Sequence, residues 1–232
     1  MSFDGFPRGG VNFFRQLKVL QDREWFKAHK ADFEELWQRP MTALFDELHQ
    51  RLQRVFPSVK QTQPKVFRLY RDVRFSKDKS PFKTHMAAVL PLFPGKSPEW
   101  ATGFYCSFGE EVYVAAGRWM LEPDELARFR KAVLAEKTGA PLAAAVKKLT
   151  AKGFEVAAHE SLKRPPPGVD KAHPRLALLK LKGFAFSFPK RSAASLEDGK
   201  KLVAGLVKDV EAAAPLLRWV EALSKGGPLP KV

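Results

Sequence analysis

Through the first quarter of the chain, apolar residues return every three or four positions. Phe13, Phe14, Leu17 and Leu20 keep that period and predict a first helix. Asp22 then stands as an N-cap for a second helix carrying Trp25, Phe26, Phe33, Leu36 and Trp37. Pro40 suits the first turn of a third, in which Met41, Leu44, Phe45, Leu48, Leu52 and Val55 hold the helical spacing until Pro57. After Pro64 the period becomes two. Val66, Arg68 and Tyr70 fall on one side of a predicted strand, with Phe67 and Leu69 on the other.

Strands are predicted again at about 86–93, at 102–108 with Phe104, Cys106 and Phe108 on one face, and at 112–116. Gly109, Glu110 and Glu111 link the last two as a hairpin. Links this short exclude parallel crossovers, so an antiparallel sheet of three or four strands is expected. Pro123 opens a helix with Leu126, Phe129, Arg130 and Val133 on its period, and Gly139 is expected to close it. Residues 140–153 read as another helix, ended by Gly153. His173 and Pro174 lead into a short helix, and Phe184, Phe186 and Phe188 alternate as a strand. Two helices, at about 195–213 and 215–223, finish the chain. The expected fold is α+β, one domain with a central antiparallel sheet flanked by N-terminal and C-terminal helices.

Composition adds a charge problem to this outline. The 232 residues carry 40 Lys and Arg against 25 Asp and Glu, a net charge of +15, which suits anionic company. The single cysteine, Cys106, excludes an internal disulfide framework and a Cys-rich metal site, and its place between Phe104 and Phe108 makes it a core residue. No metal site is expected, and no cofactor is implied. The first ten residues lack the pattern of a secretion signal, and no apolar run approaches the roughly 18 residues of a membrane span. A soluble cytoplasmic protein without membrane partners is expected, of open oligomeric state.

The excess charge gathers in two stretches. The run "RLYRDVRFSKDKSPFKTH", 68–85, holds six Arg or Lys with two Asp, two Ser and a His. Arg68, Arg71, Arg74, Lys77, Lys79 and Lys83 supply charge for an anion, and Ser76 lies in a turn-rich segment whose N–H groups add donors. Asp72 and Asp78 are placed to orient those cations, with Asp72 the local partner for Arg68. His85, with Asp72, is the candidate for proton transfer. The alternative is a surface turn cross-linked by its own Arg and Asp pairs. The second stretch, 147–191, has eleven Lys or Arg against three acids. It adds Lys163, Arg164, Asp170, His173 and Lys180 as binding candidates, and the two stretches are expected to meet in one cleft. No phosphate-loop, HExxH or nucleophile-elbow motif is present.

With these residues in view, the sequence resembles DUF2461, a domain family of unknown function. The likeness rests on Phe3 to Pro7, Trp25 and Phe26, the whole run from Arg68 to His85, Gly117 with the helix from Pro123 to Arg130, and Leu162 to Lys180. One departure is Gln21–Asp22 where the family usually has Asn–Asn. The resemblance implies one domain over 3–224 with a short tail at 225–232, and implies no reaction. Three functions stay open: a basic pocket for a phosphate-bearing small molecule or nucleotide, with or without catalysis; nucleic-acid binding along 147–191, with Phe184 or Phe186 stacking on bases; or an interaction protein whose Arg and Asp cluster only locks the fold.

Overall fold

A computed structural model describes residues 3–95 and 101–232. Helix α1 (Gly10–Leu20) ends where Gln21 takes a left-handed conformation at φ 43°, and its backbone N–H donates to Leu17 O at 2.9 Å. Asp22 caps α2 (Arg23–Ala28) as its pattern predicts, Oδ1 accepting from Trp25 N–H at 2.7 Å. Beyond it α3 (Lys30–Phe33), a π-helical turn at Glu34–Gln38 and α4 (Arg39–Leu52) follow without a break. The π turn carries Trp37 inward, where its indole N–H donates to Gly10 O at 2.8 Å. Buried Phe6, Phe14 and Phe108 complete this aromatic core.

The sheet is antiparallel and has six strands, two more than the largest number expected. In chain order they are β1 (Lys65–Val66), β2 (His85–Pro91), β3 (Gly103–Gly109), β4 (Val112–Arg118), β5 (Glu155–Ala157) and β6 (Phe184–Ser187). Their order across the sheet is β1-β2-β3-β4-β6-β5. Alternation in β3 buries Phe104, Cys106 and Phe108 completely and leaves Tyr105 and Ser107 half-buried, as the period of two requires. Strand β5 has only three residues, too few to show a period. Of the strand expected at 66–70 only Val66 lies in the two-residue β1; the remainder forms an arm through an isolated bridge from Tyr70 to Phe82.

Two helix boundaries depart from the sequence reading. Helix α5 (Pro123–Leu134) stops before Gly139, and that glycine lies inside α6 (Glu136–Thr150). Its role is close approach: a Cβ there would sit 2.0 Å from Val133 O and 2.9 Å from Arg175 Nε. After the short α7 (Leu176–Leu179), the C-terminus is one helix, α8 (Gly199–Ser224), running through Pro215. Proline costs an interior helix a hydrogen bond. The helix continues because Leu206, Val210, Ala213, Leu217 and Val220 form a fully buried stripe on both sides of it.

The chain divides into two compact units, each gathering distant segments. The first comprises 1–90, 105–114 and 190–208, and the second 91–104, 115–189 and 209–232. No helix is long and apolar enough to cross a membrane among the described residues.

Candidate functional site

The central basic run lies in the first unit, and the fold sorts its residues into three settings. Antiparallel bonds come first. Phe67 N–H donates to Ala87 O at 2.8 Å, Lys83 N–H to Leu69 O at 2.9 Å and Arg71 N–H to Pro81 O at 2.9 Å. Phe82 N–H donates to Gln21 Oε1 at 3.0 Å, so the left-handed residue closing α1 also anchors the base of this arm.

Beyond the bridge, residues 71–81 form a loop bonded chiefly to itself. Asp78 accepts from the Arg71 guanidinium, from Ser80 N–H at 2.9 Å and from Ser80 Oγ at 2.6 Å. The Ser80 hydroxyl and then Arg71 hold its carboxyl far below the usual range. Asp72 accepts from Arg74 Nε at 3.0 Å and Nη2 at 2.7 Å, a bidentate pair that lowers its pKa to about 2. The hydrogen-bonded partner of Asp72 is therefore Arg74, two residues away, and Arg68 adds only a weaker attraction to the same carboxylate. Ser76 N–H and Lys79 Nζ both turn to Val73 O, at 3.3 and 3.0 Å. Lys77 is exposed and makes no ion pair among the described residues.

The second setting is a cavity of about 480 Å³. One wall comes from α2 through Phe26 and Lys27, from α3 through Lys30 and Phe33 and from α4 through Thr42; the other is the extended segment Val66–Tyr70. Its floor is apolar, with Phe26, Phe33, Leu69 and Met86 all buried. Tyr70, half-exposed, packs its ring 5.8 Å from Phe26 and 5.0 Å from Phe82. Arg68 and Lys27 line this cavity, and none of its described lining residues is acidic; Asp72 attracts Arg68 only weakly from outside it, while Lys30 lies 3.6 Å from Glu34. Lys83 stands near Arg68, and burial followed by that like charge lowers its pKa; its ammonium sits 5.6 Å from the Phe67 ring centroid.

The third setting is a recess of about 260 Å³ holding His85 with Thr84, Ser107 and Tyr113. Burial, and then Lys83, lowers the His85 pKa, so the ring is neutral at neutral pH. This recess shares no lining residue with the Arg68 cavity. Residues Arg68 and His85, the two ends of the motif, therefore face different spaces.

The other basic candidates belong to the second unit. Lys163 and Arg164 are exposed, and Lys180 is half-buried. Asp170 is spent on a local turn, accepting from Ala172 N–H at 2.8 Å, and His173 Nδ1 accepts from Arg175 N–H at 3.1 Å. Phe184 and Phe186 have no exposed surface, so base stacking on either is excluded: Phe184 packs against Phe129 and Trp219, and Phe186 against Phe184. A residue that sequence reading missed is Lys27, which looks like any exposed helical lysine until the 66–70 segment is brought beside it.

Fold and surface define a class: an α+β protein whose antiparallel sheet carries a basic, aromatic-lined cavity and a self-bonded basic loop. A family model described as a conserved hypothetical protein (DUF2461) matches residues 10–219, and the chain belongs to that family. The sequence matches no curated protein.

Proposed function

We propose that this protein binds a phosphate-bearing small molecule, a nucleotide above all, in the Arg68 cavity. What carries the reading is the pair Arg68 and Lys27, two cations on the wall of a cavity whose described lining holds no carboxylate and whose floor is Phe26, Phe33 and Leu69. A guanidinium matches two phosphate oxygens at once, and an ammonium adds a mobile charge. An aromatic and aliphatic floor takes a planar base, and the volume lies within the range of about 300–1,000 Å³ usual for small-molecule sites.

Binding, without chemistry, is the scope of this reading. The Asp72 carboxyl, held at about 2 by Arg74, is ionised and a poor base at neutral pH. His85 faces the smaller recess. The loop's ion pairs are exposed, and exposed pairs contribute little to stability, which disfavours a purely fold-locking cluster.

Thermal-shift and calorimetric titration with nucleoside mono- and diphosphates, sugar phosphates and inorganic phosphate tests the proposal. A ligand at about 100 times its Kd should stabilise the wild type by about 2.7 kcal/mol, and Arg68→Ala should lose that shift. No stabilisation by any of them, or an equal response from Arg68→Ala and Lys27→Ala, overturns it.

A further inference from the structure

The tip of the 71–81 loop presents a feature that the cavity does not use. Phe75 is 95% exposed, the most exposed large apolar side chain described. Single apolar residues on a surface are ordinary. The surroundings of this one are not. The loop beneath it is cross-linked by Asp72, Asp78, Ser80 and Lys79, so the ring is held out on a preformed support. Arg74 places its guanidinium 5.8 Å from the Phe75 ring centroid. Both acids of the loop are occupied by Arg71 and Arg74, while Lys77 keeps its charge unpaired among the described residues.

We propose that this loop is a docking surface for single-stranded nucleic acid, with Phe75 the platform for a base and Arg74, Lys77 and Lys79 meeting the adjacent phosphates. Charge complementarity selects the partner: a polyanion suits a chain of net charge +15 whose loop has neutralised its own carboxylates. The aromatic selects the single strand. An unpaired base offers its π-face to a protruding ring, whereas a duplex hides those faces in its stack. Stacking of this kind tolerates any sequence, so affinity without base preference is expected. The proposal is independent of the cavity reading, since Phe75, Lys77 and Lys79 do not line that cavity.

Fluorescence anisotropy with a labelled oligothymidylate of about 20 nucleotides, over about 50–300 mM salt, provides the test. Phe75→Ala should weaken binding about 5- to 100-fold at fixed salt, the effect of one lost base stack, with the salt slope unchanged. Lys77→Ala should instead reduce the slope by about 0.7, the loss of one phosphate contact to a single strand. Phe75→Ala should melt with the wild type and keep wild-type affinity for mononucleotides, which separates this surface from the cavity. Wild-type affinity of Phe75→Ala for the oligonucleotide overturns the proposal. So does an equal loss on a duplex of the same length, or a loss seen only on phosphatidylserine vesicles, which would make the ring a membrane anchor.

Discussion

Arg74 and Arg175 show two uses of one side chain. Arg74 stands in the open loop, three-quarters exposed, paired with Asp72, itself nearly half exposed. Arg175, in the second unit, is buried and inserts into the end of α5: Nε donates to Val133 O at 2.8 Å, Nη2 to Leu134 O at 3.1 Å and Nη1 to Glu136 Oε2 at 2.8 Å. The last carbonyls of a helix have no partner within it. Thr138 Oγ1 supplies one for Ala132 O, and Arg175 supplies the next two. A nearby pair follows the same rule: Arg118 grips Glu125 at 3.0 Å through Nε, with the Ser224 hydroxyl on the same carboxylate. Burial raises the Glu125 pKa, and the bonds from Ser224, Arg118 and the Glu122 N–H together bring it below the usual value. Cations of the second basic stretch thus include a structural member, whereas those of the central run stay at the surface. Sequence charge density counts both alike, and burial separates them.

The sharpest way to break this contrast is Arg175→Ala, which carries the largest expected effect. It leaves the Val133 carbonyl without its donor in a buried setting, at about 1–3 kcal/mol, and the Leu134 carbonyl in a half-exposed one, at about 1 kcal/mol, so roughly 2–4 kcal/mol of unfolding free energy should be lost. Urea denaturation measures it. Gly139→Ala should destabilise in the same direction, because its Cβ would enter the space of Val133 O and Arg175 Nε. A loss below about 1 kcal/mol for Arg175→Ala would place this arginine with the surface cations and remove the distinction.

That contrast also marks where sequence reading stops. Hydrophobic periodicity located α1, α4 and the β3–β4 hairpin because each buries one stripe of its own residues: Phe13, Phe14 and Leu17, then Met41 to Leu52, then Phe104 to Phe108. It placed a helix end at Gly139 and a break at Pro215 because local propensity was the only information there. Tertiary contact overrode both, a close approach at Gly139 and a buried stripe through Pro215. The central run was legible as a charge cluster with aromatics. Its partition among a loop, a cavity and a recess was not, since that depends on which helices pack beside residues 66–70. Lys27 reaches the cavity across some forty residues of sequence, a separation no local pattern encodes.

A middle-sized effect tests the half-buried ground between these extremes. His85 has a folded pKa below its ordinary 6.5, burial being the main cause and Lys83 the second. As pH falls, the unfolded chain therefore takes up the proton first, and stability declines below about pH 6.5. Urea midpoints for the wild type should fall between about pH 7 and pH 5 more than those of His85→Gln, which has no proton to gain there. Parallel profiles for the two proteins would show that the His85 ring is solvated in both states and place it with the exposed loop.

The smallest expected effect is the one that most directly separates site from scaffold. Asp72 has a folded pKa of about 2 against an ordinary 3.8, so any stability it lends is present above about pH 3.8 and fades as pH falls through about 2. Because Asp72 and Arg74 are both open to solvent, salt and water screen their attraction, and the ordered side chains lose rotamer freedom to hold it. Asp72→Asn should therefore melt with the wild type at neutral pH and about 150 mM salt. Its influence should appear in the loop alone, as faster exchange of the Arg74 amide that now donates to Asp72 Oδ1. A drop of several degrees in Tm would mean that the pair ties the loop to the fold, and the cluster would then be scaffold like Arg175. An unchanged Tm with altered oligonucleotide binding would leave the carboxylate one task, to hold Arg74 beside the Phe75 ring.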